Sequence, residues 1–300
     1  MSAHERSPLA GIAWMAATGI NFVAVTAIVK HLGGRIPAAE SAFIRFLLGL
    51  VFLLPVLGTL RRHEFTRRQL RLFAGRGAAH TLGVMLWFYA MTRITIAEVT
   101  AMNYMNPVYV TVGAALLLGE PLPPRRLAAV GAALLGAFII LRPGFRALDP
   151  GHFAMIGTAI FFAAGYLQAK RLSDDVPASV VVAMLSITVT IGLGPFALAV
   201  WVWPTPVEVA WLFAVAAFAT TAHYCMTRAF AAAPLTVTQP VTFLQLVWAM
   251  ILGAAVFGEP VDGWVVLGGT IIVGSVTFIT WREQRARRRV TPGVHEPKGY

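Results

Sequence analysis

Charge is what this chain has least of. Asp, Glu, Lys and Arg make up 12% of its 300 residues and hydrophobic residues 58%, whereas soluble domains carry about 25% charged residues. Acidic residues are the scarcer sign, 13 against 24 basic. The lone cysteine, Cys225, excludes an internal disulfide, and its place in an apolar run reads as a small core residue, not a metal or redox group. No Walker-type phosphate loop is present, which argues against an ATPase within the chain. Nor is any segment outside the apolar runs long enough to build a soluble domain. What is left is an all-α polytopic membrane protein. A net charge of +11 would suggest nucleic acid in a soluble chain. Here the basic residues lie between apolar runs, as topology signals do, and no nucleic-acid-binding module accompanies them.

A spanning helix needs about 20 mostly apolar residues. On that measure ten spans are expected, near 9–30, 37–59, 70–92, 95–118, 124–141, 151–171, 177–202, 206–232, 235–257 and 261–281. The first run is too long for a signal-peptide core and reads as a retained helix behind a short N-terminus, 1–8. Counting Lys and Arg on alternate sides puts 17 on the side of both termini and 5 on the other. Both termini are therefore expected in the cytoplasm of a bacterial-type inner membrane. The basic stretch 282–300 is expected to be a disordered cytoplasmic tail that can touch anionic lipid.

The chain repeats itself. Lys30 and Pro37 recur as Lys170 and Pro177, Met91-Thr92-Arg93 as Met226-Thr227-Arg228, and Gly119-Glu120-Pro121 as Gly258-Glu259-Pro260. Each half, 9–141 and 151–281, holds five spans in matching order. An odd number sends the second half in from the opposite side, so two inverted five-helix repeats are expected, with a substrate site near the midplane between them.

The stretch Ala17–Val25 (ATGINFVAV), the Ser41–Phe46 segment with Arg45, the blocks NPVYVTVGAALLLGE and TFLQLVWAMILGAAVFGE, and the five-plus-five duplication together resemble the drug/metabolite transporter superfamily. The likeness runs from Gly11 to Trp281 and is to its ten-helix branch of EamA-type exporters, most of all amino-acid and aromatic amino-acid exporters. It implies a basket of helices around a central cavity, with the fifth and tenth spans at the periphery.

Polar groups inside spans are costly unless they face protein or water, so they form the list of candidates. Arg76, His80, Gly83 and Trp87 share one helical face of span three. His80 can hydrogen-bond a substrate, or be satisfied by a neighbouring helix; Trp87 offers an apolar wall, and Arg76 is near enough to the cytoplasmic end to snorkel. In span four Asn103, Tyr104 and Asn106 precede Pro107, and in span nine Gln239 and Pro240 precede Thr242, Phe243 and Gln245. Paired, proline-interrupted polar segments point to a transporter's binding site, with interhelical amide pairing as the alternative. Tyr109 is matched by Trp248 and Phe88 by His223. Trp248 and His223 join the substrate-binding candidates. Arg45 matches the superfamily arginine and needs a buried partner or a route to the interface, while Glu120 and Glu259 read as structural turns between helices.

These residues suggest a secondary carrier exporting a small metabolite, amino acids first among them, as a monomer or homodimer and with no cofactor. No carboxylate falls at mid-span, so facilitated diffusion is the simplest mechanism, with His80 or His223 as the groups able to couple protons. A proton-coupled exporter of cationic drugs would ask for a buried carboxylate or an aromatic cage. A membrane-embedded enzyme would ask for ligands or a nucleophile beside the isolated histidines.

Overall fold

The computed structural model describes residues 8–290 except 119–122, 146, 173–175 and 233–234, and at some helical positions the backbone only. Its helices are α1 (Pro8–Leu32), α2 (Ala38–Gly49), α3 (Leu57–Arg62), α4 (Arg67–Met91), α5 (Ile96–Asn103), α6 (Asn106–Leu118), α7 (Pro124–Leu141), α8 (Pro150–Leu172), α9 (Ala178–Ala199), α10 (Pro206–Ala232), α11 (Leu235–Phe257) and α12 (Gly263–Val290). The start signals are local. Thr66 with Gln69 and Thr95 with Glu98 form capping boxes that open α4 and α5, each hydroxyl accepting a backbone N–H one turn on while the long side chain accepts from the cap residue. Thr205 and Glu208 make the same exchange at α10.

Two of the expected spans are divided. The second passes from α2 through a 3-10 segment, Leu50–Val56, that carries Pro55, and ends in α3. A proline ring removes a backbone donor and crowds the preceding turn, so the tighter winding falls where the α-helix would have been broken. The fourth is split into α5 and α6. At the C-terminal end the structure departs from expectation: α12 continues as helix to Val290, well into the stretch read as a disordered tail. Once a helix is established each further residue extends it at little cost, and the Arg-rich sequence there, with Glu283, Gln284 and Ala286, favours it.

Five helical segments, Leu9–Leu32, Ala38–Val56, Pro150–Ala169, Val180–Ala199 and Pro206–Met226, are long and apolar enough to cross a membrane, and shorter apolar helices accompany them. Large apolar side chains such as Leu54, Leu116, Phe138, Ile191 and Leu198 are exposed on the outside of the bundle. A surface of that kind is stable against lipid, not water. The protein is a polytopic all-α membrane protein.

The packing repeats as the sequence does. α1 lies along α10 as α4 lies along α8; α1 meets α11 as α6 meets α8; α2 meets α10 as α4 meets α9. Exchanging every helix for its counterpart in the other half (α1 with α8, α2 with α9, α4 with α10, α5–α6 with α11, α7 with α12) leaves these pairings unchanged. α2 with α9, α5 with α11 and α7 with α12 pair with their own counterparts. One apolar core runs through both halves, from Val25, Phe46 and Phe88 to Phe162, Leu193, Leu246 and Ile272.

Glycine sets the closeness of the α7–α12 pair. A Cβ on Gly136 would lie 2.7 Å from the Gly268 carbonyl oxygen, and one on Gly268 would run into the Gly136 carbonyl. Small residues let two backbones touch in this way. Gly136→Val should therefore lower stability by about 1–3 kcal/mol, the usual cost of overpacking. Gly131→Val, on the same helix with open space around it, should leave the unfolding midpoint in detergent unchanged. Equal effects from the two variants would contradict this reading of the pair.

Candidate substrate site

The face of α4 named by the sequence points into the other half. His80 stacks on Phe162 of α8, ring centroids 4.6 Å apart and planes inclined by 19°, and meets the edge of Phe46 from α2 at 6.0 Å. Trp87 packs against the same Phe162 at 6.3 Å. Gly83, between them in sequence, makes the arrangement possible, because a Cβ there would fall 2.6 Å from the Phe162 ring. His80, Phe162 and Trp87 thus form a continuous aromatic shelf across the two halves. The indole Nε1 of Trp87 is buried and has no acceptor, as does the Thr81 hydroxyl one residue from His80. Buried donors in that condition are groups a polar solute can satisfy.

The charge around the shelf is of one sign. The Arg45 guanidinium lies over the Phe46 ring at 4.1 Å with no carboxylate partner among the described residues. Arg76 is buried and donates to the Val181 carbonyl at 3.0 Å, tying α4 to α9. Both arginines, and His223 from α10, act electrostatically on His80. His223 meets the edge of Phe22 on α1 at 5.4 Å. An arginine held in an apolar bundle without a carboxylate is expensive, and the arrangement suits a solute with electron-rich or anionic edges over a cation.

The polar run of span four is a true interruption. α5 ends at Asn103, Tyr104 and Met105 form a turn, and α6 begins at Asn106, so Pro107 falls in the first turn of a helix, where its missing N–H costs nothing. Asn106 donates to the Asn103 side-chain oxygen at 2.9 Å, leaving its own buried Oδ1 without a donor. Tyr104 donates to the Thr242 carbonyl at 2.6 Å and so joins the halves. The counterpart is not interrupted: α11 is helical from Leu235 to Phe257 with Pro240 inside it. The loss of one hydrogen bond is tolerated in a helix held by neighbours. The side chains of Pro107, Gln239, Pro240 and Phe243, and all of Glu120, lie outside the described residues. Gln245 packs closely on α1, its Cβ 3.1 Å from where a Cβ on Gly19 would stand. Trp248 is exposed and takes no part in the shelf.

Glu259 does more than end a helix. Its carboxylate forms an ion pair with Lys30 at 2.6 Å and accepts the backbone N–H of Ile96, the first residue of α5, at 3.0 Å. Lys30 also donates to the Ile94 carbonyl at 2.8 Å. Outside the spans, the hydrogen bond to Glu208 holds the Arg35 guanidinium above its ordinary range. The apolar cavities among the described residues include one of about 160 Å³ among α5, α6, α7 and α8, lined by Met102, Tyr109 and Met155, and one of about 390 Å³ between α7 and α12. Neither is lined by His80, Trp87 or the asparagines.

Two stretches of the chain, 9–142 and 149–281, match the model of the EamA-like transporter family. The chain belongs to that family. Its relatives include a riboflavin transporter of Vibrio cholerae, 30% identical over 95% of this chain and 97% of that one. An S-adenosylmethionine uptake transporter of Rickettsia conorii is 25% identical over 94% and 96%, and a pseudopaline exporter of Pseudomonas aeruginosa 25% identical over 88% and 93%. A solved crystal structure superposes with a TM-score of 0.61 at 18% identity, over 92% of this chain and 98% of that one, a likeness of fold alone. The names of these EamA relatives point to transport and not to catalysis. None is named for amino-acid export, so that narrower expectation draws no support from them.

Phe162 was not among the sequence candidates. The signal for it was Gly83, a small residue between two polar or aromatic ones on a single face. Gly83→Val should displace the Phe162 ring and reduce transport by roughly tenfold, as much as His80→Ala, at equal protein level in the membrane. Full transport by Gly83→Val would remove the shelf from the substrate path.

Proposed function

We propose that the protein is a secondary carrier of a small planar heteroaromatic metabolite, of the size and polarity of a flavin, moved by alternating access between two inverted halves. The observation that carries this reading is the His80–Phe162–Trp87 shelf between the halves, beside Arg45, which has no carboxylate partner among the described residues. A flat ring system stacks on such a surface, and acceptor atoms on its edge can take hydrogen bonds from the guanidinium and the Trp87 indole. The riboflavin transporter among the relatives carries a solute with these features. In this reading α2, the 3-10 segment and α3 form one span and α5–α6 another, giving ten spans in repeats 9–141 and 151–281. The exchange symmetry of the packing supports that arrangement. Both termini lie in the cytoplasm, in keeping with the bias of Lys and Arg. Transport runs down the solute gradient, since among the described residues no carboxylate accompanies the shelf to carry a coupling proton.

Amino-acid export, the reading reached from the sequence, competes for the same site, since an aromatic side chain fits the shelf and Arg45 can meet a carboxylate. Purified protein in liposomes, offered radiolabelled riboflavin, tryptophan or S-adenosylmethionine with and without a pH gradient, separates the alternatives. Saturable riboflavin exchange, independent of the pH gradient and reduced about tenfold in Arg45→Gln, is expected. Tryptophan exchange without riboflavin exchange would return the assignment to amino acids, and dependence on the pH gradient would rule out simple facilitated diffusion.

A further inference from the structure

At one end of the bundle, the end away from the two termini, the halves are joined by a set of polar links. Lys30 pairs with Glu259, Arg35 with Glu208 and Arg142 with Asp262. His152 approaches Glu98 at 3.3 Å. Backbone donors add Ile96 to Glu259 and Val202 to Glu40, the latter at 2.9 Å. Every one of these contacts has one partner before residue 143 and the other after residue 148. At the opposite end α4, α8 and α9 meet through an apolar cluster of Phe73, Leu172, Val176 and Val180, beside the hydrogen bond from Arg76 to the Val181 carbonyl.

We propose that this set is a gate closing one mouth of the transport path, and that Glu259 is its latch. The inference rests on the carrier reading above but names residues that reading does not use. Glu259 differs from the other acids because it serves three segments at once. It neutralises Lys30 at the end of α1, it satisfies an orphan N–H at the start of α5, and its own backbone N–H donates to the Gly253 carbonyl of α11 at 3.0 Å. A carboxylate at a helix N-terminus gains from the dipole as well as from the hydrogen bond. Moving α11 away from α1 and α5, as opening this mouth requires, breaks all of its cross-half contacts together. The Lys30–Glu259 side chains are only 19% and 10% exposed, whereas Arg35 is 48% exposed. Water screens the Arg35–Glu208 pair, so among the lysine and arginine pairs it is the more deeply placed Lys30–Glu259 that holds the mouth shut.

The test uses the full chain in nanodiscs, with spin labels at Gly34→Cys and Val261→Cys on a Cys225→Ala background, and distances read by pulsed electron resonance without substrate. Lys30→Gln and Glu259→Gln should each raise the population of the longer distance by on the order of tenfold. Lys30→Arg, which retains the charge, should keep the parent distribution. Glu259→Gln retains an acceptor for Ile96 and so isolates the charge; Lys30→Gln leaves that cap intact should the other variant fail to insert. Parent-like distances in both Gln variants, or opening by Lys30→Arg as wide as by Lys30→Gln, would overturn the proposal. Because no solute is present, an error in the substrate assignment leaves the result untouched.

Discussion

A helix bundle in lipid has nowhere to hide a polar group except in its own protein, and that constraint arranges this molecule. Its scarce charges are concentrated at the helix ends, where water reaches, and in one interior patch around His80. At the end away from the termini the acids are used twice. Glu98 caps α5 and meets His152, Glu208 caps α10 and meets Arg35, and Asp262 accepts from Trp264 at the start of α12 and meets Arg142. Placing an acid in the first turn of a span satisfies the helix first. The pairing to the other half follows because another helix end lies opposite.

The repeat was the most legible feature of the sequence, because Gly-Glu-Pro, Lys-Pro and Met-Thr-Arg recur in order and the pairing of helices follows the same order. Helix positions were legible for the same reason that lipid demands long apolar runs. The division of span four at Asn103–Asn106 was visible in its proline and amides. Its supposed mirror in α11 was not a division, since a proline in sequence does not tell whether neighbouring helices will hold the helix continuous. Partners across the halves were the least legible. Phe162 sits in an apolar run beside Phe161, and nothing in that run distinguishes a ring facing His80 from one facing lipid.

Glu259 shows how a local motif can mislead in kind. Gly-Glu-Pro looks like a turn, and Gly258 indeed has a positive φ of 63° that favours glycine and lets the chain reverse. That reversal aims the carboxylate away from its own next helix and at α1 and α5. The turn and the long-range contact are therefore one feature: the glycine conformation supplies the direction, and Lys30 with the Ile96 N–H supplies the destination.

The two kinds of polar placement have different energetic consequences. A fully buried ion pair resists separation because each charge would be left unpaired in a medium of low dielectric. Pairs at a helix end, such as Arg142–Asp262 with both partners about a quarter exposed (25% and 27%), can be traded for water at small net cost. Contacts of that sort give a closed end that can reopen. The interior has no such exchange available, because Arg45 and Arg76 sit among Phe46, His80 and Phe162 and the apolar core. There the chain compensates with what lipid leaves it, the backbone carbonyl of Val181 for Arg76 and the face of the Phe46 ring for Arg45, because the same constraint that empties the spans of acid removes the usual partner of a buried base.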